Sequence, residues 1–222
     1  MKYLLGTVVG LLIASLVCVA STGAINTIDG LYAQRHINGN TQKTLYKTEQ
    51  ALLISRDPQE RYELLWRYAR SASQIPEFLS AEKSEKLAIF KKAQTHAEEA
   101  RQLFPKKTEA LYWGAVCKGR YAEMKGILKS LRSIKPVRDT MEEILVLDSN
   151  FHRAHFVLSR VYRKAPKFIS IGDPNRAEGH INKALEGDPN ESLYLLEKAR
   201  VLVKLKRKKE ARIVLEKLLN LL

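Results

Sequence analysis

Ala93-Gln94-Thr95-His96-Ala97-Glu98-Glu99-Ala100-Arg101-Gln102-Leu103-Phe104-Pro105 and Ala177-Glu178-Gly179-His180-Ile181-Asn182-Lys183-Ala184-Leu185-Glu186-Gly187-Asp188-Pro189 share one spacing. Small or apolar residues step by four and then three, and a proline follows five residues on: Ala93, Ala97, Ala100, Pro105, then Ala177, Ile181, Ala184, Pro189. Ala211, Leu215 and Leu218 begin the spacing again. Such steps place the side chains on one stripe of an α-helix, and proline, which has no N–H, marks where the helix cannot continue. A partner helix precedes the second and third stripes: Ala154, His155, Leu158, Ser159 and Tyr162 in one, Leu195, Ala199, Leu202 and Leu205 in the other. The chain therefore predicts an array of helical hairpins.

The paired stripes resemble the tetratricopeptide repeat, with Trp-x2-Leu-Gly-x2-Tyr on its first helix and Ala-x3-Phe-x2-Ala-x4-Pro on its second. From Ser192 onward the helices fall at the 34-residue period of that repeat. The preceding unit carries extra residues around Ala165-Pro166-Lys167-Phe168-Ile169-Ser170. An earlier unit opens with Ala110, Trp113, Gly114 and Cys117, but its second helix is delayed to Val137, Met141, Ile144 and Ser149. The first, centred on Leu65, Trp66 and Ala69, reaches its Ala93 stripe only after Ile75-Pro76-Glu77-Phe78. The expected fold is all-α, a tetratricopeptide-like helix-hairpin solenoid of about four padded repeats filling residues 41–222. Such hairpins stack because none can bury its own apolar face. Asp57-Pro58, Asp173-Pro174 and Asp188-Pro189 supply helix starts or turns, since aspartate accepts from free N–H groups and proline tolerates the first turn.

Tyr3 to Ile28 contains no charged side chain, with Lys2 before it and Asp29 after. Residues 1–24 read as a secretory signal peptide, with Thr22-Gly23-Ala24 or Cys18-Val19-Ala20 as cleavage site, or as an uncleaved membrane anchor within residues 3–28. Either way the rest of the chain is expected outside the cytoplasm, in the periplasm or envelope. Lipidation at Cys18 is disfavoured by Val17, where a lipoprotein signal wants a small residue. Residues 25–40 read as a lead-in linker. Cleavage after Ala24 would leave Cys117 without an intramolecular partner, as a small core residue on a helical stripe.

The net charge of +14 arises from 38 Lys and Arg against 24 Asp and Glu, densest at Lys204, Lys206, Arg207, Lys208 and Lys209. That run could meet anionic lipid or nucleic acid, but an exported chain meets no nucleic acid, and a solvated inter-helix turn accounts for it. Phosphate-binding glycine loops, zinc-protease helices and nucleophile elbows are all missing from the sequence, so an enzyme is not expected. His152 and His155, with Asp148 upstream, share a helix face, yet His155 stands at a packing position; no metal and no cofactor is expected.

The succession Ala110-Leu111-Tyr112-Trp113-Gly114-Ala115, Ile144-Leu145-Val146-Leu147-Asp148-Ser149, Ala154 to Tyr162, and Gly172-Asp173-Pro174 with Ala177, His180, Lys183 and Ala184 resembles the T component of tripartite ATP-independent periplasmic (TRAP) transporters. The resemblance implies an exported, non-catalytic partner of a periplasmic solute-binding protein in an uptake system. An envelope scaffold that gathers protein partners without handling a solute is the other reading.

In the tetratricopeptide repeat the first helix of each pair lines a concave groove. That resemblance assigns Arg153, Phe156, Arg160 and Arg163, spaced three, four and three, to the groove. Their counterparts are Leu193, Leu196, Arg200 and Val203 in the next unit, Leu111, Ala115 and Lys118 in the preceding one, and Trp66 and Arg70 in the first. Arginine forks bind carboxylates in bidentate fashion, so the expected ligand is an acidic peptide segment or a carboxylated solute. The alternative is that these arginines pair with acids of neighbouring helices or face water.

Overall fold

The computed structural model describes residues 23–75, 81–166 and 171–221. The signal or anchor residues before Gly23, Cys18 among them, and parts of the two inserts (residues 76–80 and 167–170) lie outside the described residues. The described residues are helical with short connections, as the stripes require. In chain order the helices are α1 (residues 23–33), α2 (Asn40–Ile54), α3 (Pro58–Ala72), α4 (Lys83–Leu103), α5 (Thr108–Lys125), α6 (Ile127–Leu147), α7 (His152–Lys164), α8 (Pro174–Gly187), α9 (Ser192–Lys204) and α10 (Lys208–Leu219). Among the described residues no helix is long and apolar enough to cross a membrane.

The helices form two compact units that divide at Lys125. In the first, α3 and α4 form the hairpin that the Leu65 and Ala93 stripes announce. Leu65, Ala69, Ala93, Ala97 and Ala100 are all buried. The stretch read as a linker is structured instead: α1 and α2 form one more hairpin ahead of it. Ile28 of α1 shares a core with Ala51 and Leu52 of α2, Tyr62, Leu64 and Leu65 of α3, Ala100 of α4 and Ala110 of α5. The buried face of α2 is largely Asn40, Thr41, Thr44 and Thr48. Thr44 and Thr48 donate their hydroxyls to the carbonyls of Asn40 and Thr44, each at 2.7 Å. Satisfied within their own helix, these threonines present methyl groups to the core.

The second unit holds α6 and the hairpins α7–α8 and α9–α10. Ala154, Leu158, Tyr162, Ala177, Ile181, Ala184, Leu195, Ala199, Leu202 and Ala211 are all buried, as their spacing demands, whereas in the last hairpin Leu205 and Leu218 are half-buried and Leu215 is exposed. Two Asp-Pro pairs start helices. Asp57 accepts from the N–H of Glu60 at 2.7 Å, and Asp173 from Asn175 and Arg176 at 2.9 and 3.2 Å. Asp188 closes the turn after α8, accepting from Asn190 at 3.1 Å. Gly126, alone between α5 and α6, has φ 107°, which a side-chain-bearing residue would strain to adopt.

Candidate functional site

In the second unit the first helices of the two hairpins, α7 and α9, present the residues expected in the groove. Arg153 lies over the Phe151 ring at 4.7 Å. The half-buried Phe156 ring meets Tyr194 of α9 at 5.1 Å, and Arg160 covers Phe156 at 5.7 Å. Arg163 donates Nε and Nη2 to the two carboxylate oxygens of Glu197 at 2.6 and 3.0 Å. Glu197 is almost wholly buried, so this bidentate pair joins the two helices and takes Arg163 out of the set available to a ligand. Leu196 is half-buried, Leu193 and Val203 are more than half exposed, and Arg200 faces solvent. Arg160 and Arg200 make no ion pair among the described residues.

The first unit differs. Arg67 grips both oxygens of Asp29 on α1 and also Glu63 at 2.6 Å. Arg70 donates to Asp29 and lies over the rings of Tyr32 at 3.8 Å and Trp66 at 5.1 Å. Trp66 Nε1 donates to Glu63 at 2.8 Å. Burial chiefly depresses the guanidinium pKa of Arg70. Asp29 is pushed up by burial, but hydrogen bonds and charge from Arg67 and Arg70 outweigh that and hold it below the usual carboxylate range. Arg70 is thus engaged by Asp29 and Tyr32 of the chain's own α1, and half-buried Trp66 packs beside it. Leu111 and Ala115 are core residues, 5% and 6% exposed, while Lys118 is exposed. Two of the three α5 positions expected in the groove, Leu111 and Ala115, therefore face the core.

The histidines pair differently from their sequence order. His155 Nδ1 stands 2.9 Å from His180 Nδ1, one neutral ring donating to the other. The His180 ring is parallel to Tyr162 at 5.4 Å, and Arg176 covers Tyr162 at 4.4 Å. Burial, then the charges of His155, Arg176 and Lys183, push His180 down to about 4. His152 donates from Nδ1 to the Lys183 carbonyl at 3.0 Å, so His152 and His155 turn those nitrogens to different partners. Among the described residues no group of three or more His, Cys, Asp or Glu is placed to hold a metal ion. Cys117 is buried against the Ala69 carbonyl at 3.1 Å, and burial pushes its thiol up to about 12, which suits packing and not nucleophilic attack.

Glu197 and Asp29 are the site residues that spacing missed. Each is an acid in or beside an apolar helix, and each finds its arginine 34 to 41 residues away in the chain. A lone carboxylate among Leu195, Leu196 and Ala199 was the available signal.

Comparison with known proteins gives the fold and the family separately. A thermophilic TPR protein of Thermus thermophilus superposes with a TM-score of 0.68 at 18% identity, covering 90% of each chain. MamA from Desulfovibrio magneticus superposes with a TM-score of 0.55 at 16% identity, covering 90% of this chain and 94% of that one. These likenesses establish a tetratricopeptide-type helical-repeat fold and nothing of function. Regulator of microtubule dynamics protein 3 of Rattus norvegicus is 32% identical over 100 residues, which is 45% of this chain and 21% of that protein. The Bos taurus protein of the same name matches to the same extent. The chain thus spans about a fifth of the length of these relatives. Residues 25–164 match the family described as Regulator of microtubule dynamics protein 1-3, a stretch longer than half the chain, and the chain belongs to that family.

Proposed function

We propose that this chain is a non-catalytic adapter in which Arg160 and Arg200 capture an acidic segment of a partner protein. The observation that carries the reading is a contrast among arginines on first helices. Arg70 and Arg163 are consumed by Asp29 and Glu197, whereas Arg160 and Arg200 keep their guanidinium forks without an acid. Exposed Leu193 and Val203 beside them add apolar surface for the partner's backbone to cover. Its kinship with proteins named regulators of microtubule dynamics suggests a partner from the microtubule system. We further propose that the uncharged residues from Tyr3 up to the start of α1, long enough to cross a bilayer, tether the adapter to a membrane or export it, while Ile28 stays in the core of the first unit.

A narrower role beside the solute-binding protein of a TRAP-type system would use the same arginines for a carboxylated solute. The residues behind that resemblance, such as Trp113, Ile144, Ala154, Ala177 and Ala184, are buried packing positions that hairpins of this kind need for folding alone. The family match lies with other proteins. Protein capture is therefore the better supported of the two. A photo-crosslinking amino acid in place of Leu193, activated in intact cells, tests the choice. Recovery of an acidic protein partner supports the adapter. Recovery of a solute-binding protein supports the transport role, and labelling of small molecules alone argues against both.

A further inference from the structure

The N-terminal part of α6 carries exposed apolar side chains. Val137, Met141 and Ile144 are buried and step by four and three. Extended toward the N-terminus by such steps, their stripe passes through Ile134, Ser133 and Ser130, all partly buried. By the same step of three Ile127 stands at the N-terminal end of the stripe and Leu128 lies off it, and the two are 80% and 76% exposed. Leu131, one turn on, continues their row. No acid occurs from Met124 to Arg138, while Lys135 lies in that row, Arg132 beside it and Lys129 further round the helix. Arg132 is exposed, as are Lys129 and Lys135, and none of the three makes an ion pair or hydrogen bond among the described residues. Pro136 then interrupts the helix ladder, since it has no N–H to give the Arg132 carbonyl.

We propose that residues 127–135 form a contact element for an anionic membrane surface. Ile127, Leu128 and Leu131 enter the boundary between headgroups and acyl chains, and Lys129, Arg132 and Lys135 bind lipid phosphates and carboxylates. A short basic helix whose Ile127 and Leu128 are already exposed, with Leu131 half-buried beside them, suits a plane that supplies hydrocarbon and negative charge together. Complementary charge selects an anionic bilayer over a neutral one, because each cation near such a surface adds its own attraction. This contact is independent of the arginines on α7 and α9 and of the N-terminal run.

Hydrogen exchange on the full chain tests it, in vesicles of phosphatidylcholine alone and in vesicles with about one-third phosphatidylserine. Any insertion of the N-terminal run tethers the protein to both, so the difference between vesicles reports on α6. Amides of residues 127–135 should exchange severalfold more slowly on the anionic vesicles. Two variants should abolish the difference while keeping native helix content: K129E/R132E/K135E, which reverses the charges, and I127S/L128S, which removes the apolar contact. Equal exchange on both vesicles would overturn the proposal, as it would if the row instead docks an acidic protein. Slowing that survives in both variants would overturn it too.

Discussion

Arg163 and Glu197 face each other as a bidentate pair between the first helices of consecutive hairpins, with contacts of 2.6 and 3.0 Å. The carboxylate is 1% exposed and the arginine 16%. Removing one partner of such a pair leaves the other charge poorly solvated. Glu197→Ala should therefore destabilise the second unit by about 3 kcal/mol, read by chemical denaturation. Replacing both residues, as Arg163→Met with Glu197→Leu, should recover most of that loss. A Glu197→Ala midpoint equal to wild type would show that the pair contributes nothing.

Gly114 supplies a second check on helix approach. A Cβ placed there would meet the Cβ of Ala97 at 2.7 Å, closer than two carbons can sit. Gly114→Ala gains helix propensity but forces α4 and α5 apart, and it should lose about 1–3 kcal/mol net. Ala97→Gly in the same chain restores the space, so the double variant should be more stable than Gly114→Ala alone. Additive losses would contradict a contact between these positions.

The hairpin stripes were legible because small and apolar residues at steps of four and three mark one packed face of a helix, and Ala100 and Ala184 are both fully buried. The α1–α2 hairpin was not legible. Four of its seven buried α2 positions are Asn40, Thr41, Thr44 and Thr48, and a threonine such as Thr44 or Thr48, whose hydroxyl bonds the carbonyl four residues back, looks polar in sequence while packing as an apolar residue. The groove was readable only in part. Helix phase placed Arg160 and Arg200 on first helices, but it also assigned to the groove Leu111 and Ala115, which are core residues. It also gave no hint that Arg70 and Arg163 meet acids so distant in the chain.

Asp29 fastens α1 to α3 through Arg67 and Arg70. Asp29→Asn removes the charge that both guanidinium groups require, so α1 should loosen. Limited proteolysis should then cut within residues 34–39 faster than in wild type, while the α9–α10 hairpin stays resistant. Unchanged cleavage would mean that Ile28 and its apolar neighbours hold α1 without the ion pairs.

Acid should weaken the second unit through His180. Its folded pKa of about 4 lies below the ordinary 6.5, chiefly from burial and then from His155, Arg176 and Lys183. Between those values the unfolded chain binds more protons, so stability that is complete above 6.5 is lost as pH falls toward 4. The loss should be on the order of 1–2 kcal/mol, since partial exposure screens the effect. His180→Phe keeps a ring beside Tyr162 but cannot titrate, so its melting midpoint should fall less steeply with acid. Identical pH slopes would remove His180 from the account. His96, also depressed mainly by burial, contributes to both slopes and cancels to first order, whereas His155 loses its hydrogen-bond partner in His180→Phe, so the difference in slope reports on the His155–His180 pair.

The central claim is that Arg160 and Arg200 form the recognition surface. Its most direct test is binding of a fluorescent polyglutamate peptide to the full chain and to the Arg160→Glu/Arg200→Glu variant at low salt, where charge attraction is strongest. Arg200 is exposed and Arg160 half-buried over Phe156, so helical circular dichroism should be kept and the melting midpoint should fall only slightly, from the lost stacking. The account predicts saturable binding by wild type, weakened by salt, and at least about a tenfold loss in the variant, as expected for two charge-assisted contacts. Equal affinity of the two proteins at low salt would contradict it and place recognition elsewhere on the chain.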